Sequence, residues 1–242
     1  MGGLAATASG LQAAQSSLLV WSHDLANANA PGFTPETPLT VAGASVAPVV
    51  GPAGGNIGSG SYVASVGQWG TGAITETSIS TDLALRSSGA FLVGVGGTKL
   101  GFTRNGAFQW RNGGLYTVTG LPVLSSQSQP IRVPIGTPLR NVAIDGHGGV
   151  TVNGTPTGQV LGIVYPNLSV ATVGGPGGAI LLPPGTPIGN AAPGDVVSGA
   201  LNGSGVSMTT AMMGLLSAEQ VYVINTRTLD AQSQSLQTIA GL

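Results

Sequence analysis

The sequence predicts an α+β fold: paired, coiled-coil-like N- and C-terminal helices flanking an antiparallel all-β domain. Three observations predict it. Leu4, Leu11, Leu18 and Leu25 recur every seven residues near the start. Met208, Leu215, Tyr222, Leu229 and Leu236 do the same near the finish. Between them lie short β-branched runs punctuated by Asn-Gly and Gly-Gly steps, the pattern of many short strands joined by tight turns. A leucine seam needs a partner helix to cover it, which points to a part in an assembly.

Residues 3–29 read as the first helix. With Leu4 at position a of the heptad, position d holds Thr7, Ala14, Trp21 and Ala28, a narrow strip of mostly small residues. Such a strip suits a partner helix; it equally suits an amphipathic helix lying on its own domain. Pro31-Gly32 stops the helix, because proline disfavours helical backbone at the residue before it. The terminal helical domain comprises 1–33 and 204–242, and residues 34–75, rich in Pro, Gly, Ser and Val, form an extended arm or linker with a short extended piece at 61–67.

Residues 76–203 are the β domain with a Gly/Pro-rich tail. Its expected strands are 81–86, 90–95, 101–104, 107–110, 115–118, 121–124, 130–133, 141–144, 149–152 and 159–165, separated by turns such as Asn105-Gly106, Asn112-Gly113 and Asn153-Gly154. Residues 166–200 read as coil with an apolar patch at 179–182. The last helix, 204–240, carries Ala211, Ala218, Asn225, Gln232 and Ile239 at d. Asn225 and Gln232 would fix register in a seam or face a wet surface. Paired antiparallel, the two helices bring the chain ends together.

Composition excludes several functions. Only 6% of residues are charged, the net charge is −1 and Lys99 is the sole lysine, so the Lys/Arg clusters that neutralise phosphates are lacking and no nucleic-acid partner is expected. A surface so poor in charge suits a molecule covered by neighbours. With no cysteine, disulfides and thiolate metal sites are out. No apolar run approaches the roughly 20 residues that span a bilayer, so an integral membrane protein is not expected. A cleaved signal peptide is not expected either, since the first basic residue after His23 is Arg86.

Chemistry-bearing motifs are sparse. His23 and His147 lack metal-ligand spacing, no phosphate-binding loop or nucleophile elbow occurs, and the eight carboxylates are scattered. No catalytic, metal or cofactor residue is assigned. An enzyme reading would rest on a carboxylate such as Asp82 or Asp145.

Three segments carry a resemblance. The stretch Asp24-Leu25-Ala26-Asn27-Ala28-Asn29-Ala30-Pro31-Gly32-Phe33 resembles the N-terminal signature of bacterial flagellar rod and hook proteins, A-N-x-N-T-x-G-F, with Ala30 in place of Thr. Residues 81–124 resemble the family's β segment through Asp82, Ala84, Gly89, Phe91, Phe102-Thr103-Arg104, Gly106, Phe108, Gly114-Leu115, Thr119-Gly120 and Val123-Leu124. Residues 199–206 resemble G-x-L-E-x-S-N-V, with Asn202 for Glu and Gly205 for Asn; Gln220, Tyr222 and Asn225 follow in place, and Val221 replaces Arg. The length is that of the long rod proteins, distal or proximal.

The resemblance implies a structural subunit of the flagellar basal-body rod. Such a subunit assembles helically into a hollow drive shaft that transmits torque and lines the export channel. It is exported by the flagellar type III apparatus without a cleaved signal into a basal body that spans the periplasm. Its implied partners are further copies, other rod and hook proteins, ring proteins around the rod and the export apparatus. The terminal helices would form the inner tube, the β domain an outer layer, and the 34–75 arm a wedge between subunits. Assembly contacts would then fall to Leu4, Leu11, Leu18, Trp21, Leu25, Asn27, Asn29, Gly32, Phe33, Leu215, Tyr222, Asn225, Leu229 and Leu236. The competing reading is a secreted β-rich adhesive or binding protein that oligomerises through the same helices.

Overall fold

The computed structural model describes residues 2–41, 62–67, 72–96, 99–165, 179–181 and 185–240. The fold is α+β: two helices and several antiparallel sheets, divided between two compact units. The first unit comprises Met1–Ala28, Glu36–Gln68 and Val206–Leu242; the second comprises Asn29–Pro35 and Trp69–Gly205.

In the first unit, α1 (Gly2–Ala26) runs through a proline-free segment rich in Ala, Leu and Ser. It stops where Asn27 turns its side chain back: Nδ2 donates at 2.8 Å to the His23 carbonyl, which also accepts the Asn27 N–H at 3.2 Å. The other helix, α2 (Met208–Ala240), has 33 residues, a rod about 50 Å long. Ser207 caps its start, its Oγ accepting from the Thr210 N–H at 3.3 Å. Strands β1 (Glu36–Val41) and β2 (Tyr62–Gly67) pair antiparallel, from Glu36 opposite Gly67 to Val41 opposite Tyr62. The extended piece expected at 61–67 is a strand over its described residues, 62–67, whereas β1 gave no local signal, since it carries Pro38. The middle of the expected arm, 42–61, lies outside the described residues.

Among the described residues, the second unit has fourteen short strands. They are β3 (Ile74–Glu76), β4 (Leu83–Leu85), β5 (Ala90–Gly94), β6 (Leu100–Thr103), β7 (Phe108–Arg111), β8 (Gly114–Thr117), β9 (Val142–Ile144), β10 (Gly149–Val152), β11 (Thr155–Val160), β12 (Gly162–Val164), β13 (Ile180–Leu181), β14 (Ile188–Asn190), β15 (Val196–Ser198) and β16 (Ala200–Asn202). The largest sheet orders β13-β6-β5-β12-β14, and β11-β10-β9 form a three-stranded sheet. The pairs β15-β4, β16-β3 and β7-β8 complete the set. The main core gathers inward-facing residues of many strands, among them Leu83, Phe91, Phe108, Leu115, Ile131 and Ile163. The rings of Phe91 and Phe108 meet edge to face at 5.0 Å, a geometry that adds about 1 kcal/mol to the burial itself.

Two expectations need correction. Residues 188–190, 196–198 and 200–202 are strands and not coil, because each finds its partner far away: β14 on β12, β15 on β4, β16 on β3. The expected strands at 121–124 and 130–133 are reduced to isolated bridges, such as Val93 with Val123 and Leu124 with Pro130.

Candidate functional site

The two helices run antiparallel and meet through their small residues. Thr7 Oγ1 bonds Gln232 Oε1 at 3.3 Å, Gly10 faces the Asn225 amide, and Trp21 lies on Gly214, so numbers rise along one helix as they fall along the other. Ala14, Ala211 and Ala218 are buried between them. These are the d positions of both heptads, and short side chains there let the backbones approach closely. A Cβ at Gly214 would stand 2.6 Å from Trp21 Cδ2, closer than real atoms come. A groove of about 360 Å³ remains along the contact, lined by Gly10, Ala13, Ser17, Trp21, Ser217 and Val221 among others.

The leucine strip has a different fate. Leu11, Leu18, Leu25, Leu215, Tyr222 and Leu229 are half-buried, and Leu236 is exposed. The side chain of Leu4 lies outside the described residues, as does that of Ile239. Beyond the heptad positions, α2 carries apolar residues that α1 leaves bare: Met212, Met213, Leu216, Val223 and Ile224 are all exposed, Leu216 at 58% and Ile224 at 62%. Helical spacing sets Met212, Leu216 and Val223 along one stripe, and Met213 and Ile224 along another. In the sequence, Leu216 and Val223 widen the apolar face around the middle of the helix; Met212, Met213 and Ile224 lie outside the heptad positions and were not singled out.

At the end of α1, Asp24 is 1% exposed although it is an acid. Both of its oxygens accept from the Glu36 N–H at 3.1 Å, fixing the start of β1 on the helix. Burial dominates its titration and raises its pKa from 3.8 to about 6; the bond from Glu36 opposes that rise, the Glu36 charge adds to it, and His23 opposes it.

The remaining signature residues belong to the second unit. Asn29 is exposed and Phe33 half-buried, the latter offering its carbonyl to the Gly205 N–H at 3.0 Å. Gly32 has φ +66° and donates its N–H to the Asn202 carbonyl at 2.8 Å; a Cβ there would collide with the backbone of Arg104 and Asn105. Arg104 itself is buried, donating to the carbonyls of Ser87 and Gly89. Its pKa is lowered by burial, against the favourable field of Asp195. Asn202, 1% exposed, closes the arrangement: Oδ1 accepts from the Leu85 N–H at 2.8 Å and Nδ2 donates to the Leu85 carbonyl at 2.9 Å, as a neighbouring strand would. The sequence signature therefore splits. Asn27 finishes α1, while Gly32 and Phe33 knit the N-terminal segment to the residues just before α2.

Among the described residues, no grouping of three or more His, Asp or Glu could hold a metal ion, and no helix is long and apolar enough to cross a membrane.

Comparison with known proteins bears on the same elements. A family profile described as "Flagellar basal body rod FlgEFG protein C-terminal" matches residues 197–242, which contain β16 and all of α2. The chain is 26% identical over 254 aligned residues to the flagellar basal-body rod protein FlgG of Buchnera aphidicola subsp. Acyrthosiphon pisum, covering 96% of each chain. It is likewise 26% identical to the protein of the same name from Buchnera aphidicola subsp. Schizaphis graminum, again over 96% of each.

Proposed function

We infer that the chain is a member of the flagellar basal-body rod protein family, and we propose how its helices make it a structural subunit of the rod. One observation carries the proposal: α2 is apolar on faces that α1 leaves uncovered. A helix with bare apolar stripes on more than one side gains stability when further helices cover them. The small-residue seam holds α1 and α2 together within one subunit, and the leucine strip with the two bare stripes is left for neighbours. Contacts on several sides of one helix build a tube rather than a closed dimer, since head-to-tail contacts that do not close generate helical filaments.

On this reading Leu11, Leu18, Leu25, Leu215, Leu229 and Leu236 are intersubunit contacts, and Asn225 sets register. The helices line the export channel, and the β domain meets ring proteins. Torque passes along the interlocked helices. The coiled-coil character belongs to this many-stranded assembly. The chain reaches it through the type III export apparatus, without cleavage of a signal peptide.

The test is Leu216→Asp, expressed in a strain lacking the wild-type gene. Leu216 is 58% exposed in the subunit, so the variant should fold, yet a carboxylate buried in an apolar contact without a partner costs several kcal/mol. Electron microscopy of purified basal bodies should find truncated rods, and swimming should be lost. Full-length rods and normal motility with Leu216→Asp would sink the proposal.

A further inference from the structure

Three of the chain's four methionines fall within six residues, at 208, 212 and 213 in the first turns of α2. All three project from the fold, with relative exposures of 45%, 45% and 59%. The chain has no cysteine, so these thioethers are its readily oxidised sulfurs. Helical spacing puts Met208 and Met212 on the stripe that continues to Leu216, and Met213 on the stripe that continues to Ile224. Methionine is unbranched and polarisable, which suits an apolar contact that must adapt to more than one neighbour. It also makes that contact chemically vulnerable.

We propose that Met208, Met212 and Met213 form a peroxide-sensitive modification site that switches this face of α2 from adhesive to non-adhesive before assembly. The inference rests on the reading of α2 as an assembly face. The sulfur lone pair attacks one oxygen of hydrogen peroxide; the O–O bond breaks and an S–O bond forms. Sulfur loses two electrons, and the second oxygen leaves as water. The product sulfoxide is polar and chiral, and burying it without a hydrogen-bond donor is unfavourable. Its neighbours on the two stripes, Leu216, Val223 and Ile224, offer no side-chain donor. The change is reversible by methionine sulfoxide reductases, each acting on one epimer. Once α2 is packed among neighbours the sulfurs are shielded, so the switch acts on the free subunit and spares the finished rod.

The experiment uses the full-length soluble chain, treated with hydrogen peroxide and followed by peptide mass mapping and sedimentation. Sulfoxide should accumulate at Met208, Met212 and Met213, association should weaken on the order of tenfold or more, and reductase treatment should restore it. The triple variant Met208→Leu, Met212→Leu, Met213→Leu should associate equally well with and without peroxide. Finished rods given the same dose should keep Met212 and Met213 unmodified. Undiminished association of a chain oxidised at all three positions would overturn the switch alone, as would equal peroxide sensitivity of the triple variant. An untreated wild-type chain that never associates would overturn the assembly face and the switch together.

Discussion

Replacing Asn202 by alanine should unfold the second unit at markedly lower temperature, and the structure sets the size of the effect. The Asn202 side chain supplies both partners of the Leu85 backbone, at 2.8 and 2.9 Å, and Leu85 is itself 1% exposed. Alanine removes the partners without admitting water, stranding one N–H and one C=O. Each stranded buried group costs about 1–3 kcal/mol, so the pair costs roughly 2–6 kcal/mol, a large share of the 5–15 kcal/mol that typically holds a domain folded. For a unit of this size the melting temperature should fall by about 10 °C or more. Thermal unfolding of the full chain, read by near-ultraviolet circular dichroism, follows Trp110, which packs against the core of this unit. Asn202→Asp should do no better, because its second oxygen would face the Leu85 carbonyl where an N–H now donates. A loss below about 0.5 kcal/mol for Asn202→Ala, the range of ordinary surface changes, would refute the reasoning.

Further outcomes follow from the same geometry. Because the Asp24 pKa rises from 3.8 to about 6 in the fold, the folded state holds that proton more tightly; the stabilisation is complete below about pH 4 and lost as pH rises through about 6. Asp24→Asn should therefore stabilise the first unit at pH 7.5 by up to about 3 kcal/mol and flatten its pH dependence, checked by denaturant titrations of helicity at pH 5 and 7.5; a wild type with no slope between them would count against it. Gly214→Ala would gain about 1 kcal/mol of helix propensity in open solvent, but its Cβ meets the Trp21 ring at 2.6 Å. It should instead destabilise by about 1–3 kcal/mol, and a double-mutant cycle with Trp21→Leu should show the coupling. Gly32→Ala should destabilise the second unit by more than 1 kcal/mol, since φ is +66° and the backbone of Arg104 occupies the space; an unchanged melting curve would contradict this.

What the sequence discloses here follows from the range of the interactions. Asn112 and Asn153, followed by glycine, form the tight turns of β7-β8 and β10-β11 with positive φ at both turn positions, as local chemistry dictates. Asn105-Gly106 has the same letters and makes no such hairpin, for β6 pairs with β5 and β7 with β8. Its Asn105 Oδ1 accepts from the Ala107 N–H at 3.0 Å, and Gly106 is pressed against the Leu83 backbone. That requirement comes from a residue more than twenty positions away and leaves no local mark. Strands β14 to β16 were hidden for the same reason, each being short and stabilised by a distant partner. On the helices, the heptad revealed which residues are apolar but not which strip meets the sister helix. Side-chain size decides that: Gly10, Ala14, Gly214 and Ala218 permit a close approach, and the leucines, too bulky for it, are displaced to the flanks. The burial of Asp24 had no signal at all, since an acid near the end of a helix reads as solvated.

The hydrogen bonds from Gly32 to Asn202, from Gly205 to Phe33 and from Gly203 to Ala73 join segments made at opposite ends of synthesis. The Asn202–Leu85 bonds alone span 117 residues. Closing loops of that length carries an entropy cost before any contact rewards it, and folds dominated by such pairings form slowly. The second unit therefore cannot complete itself until its last strand, β16, is present. Residue order therefore works as a timer: this unit gains its full set of bonds only once the chain has been made as far as β16.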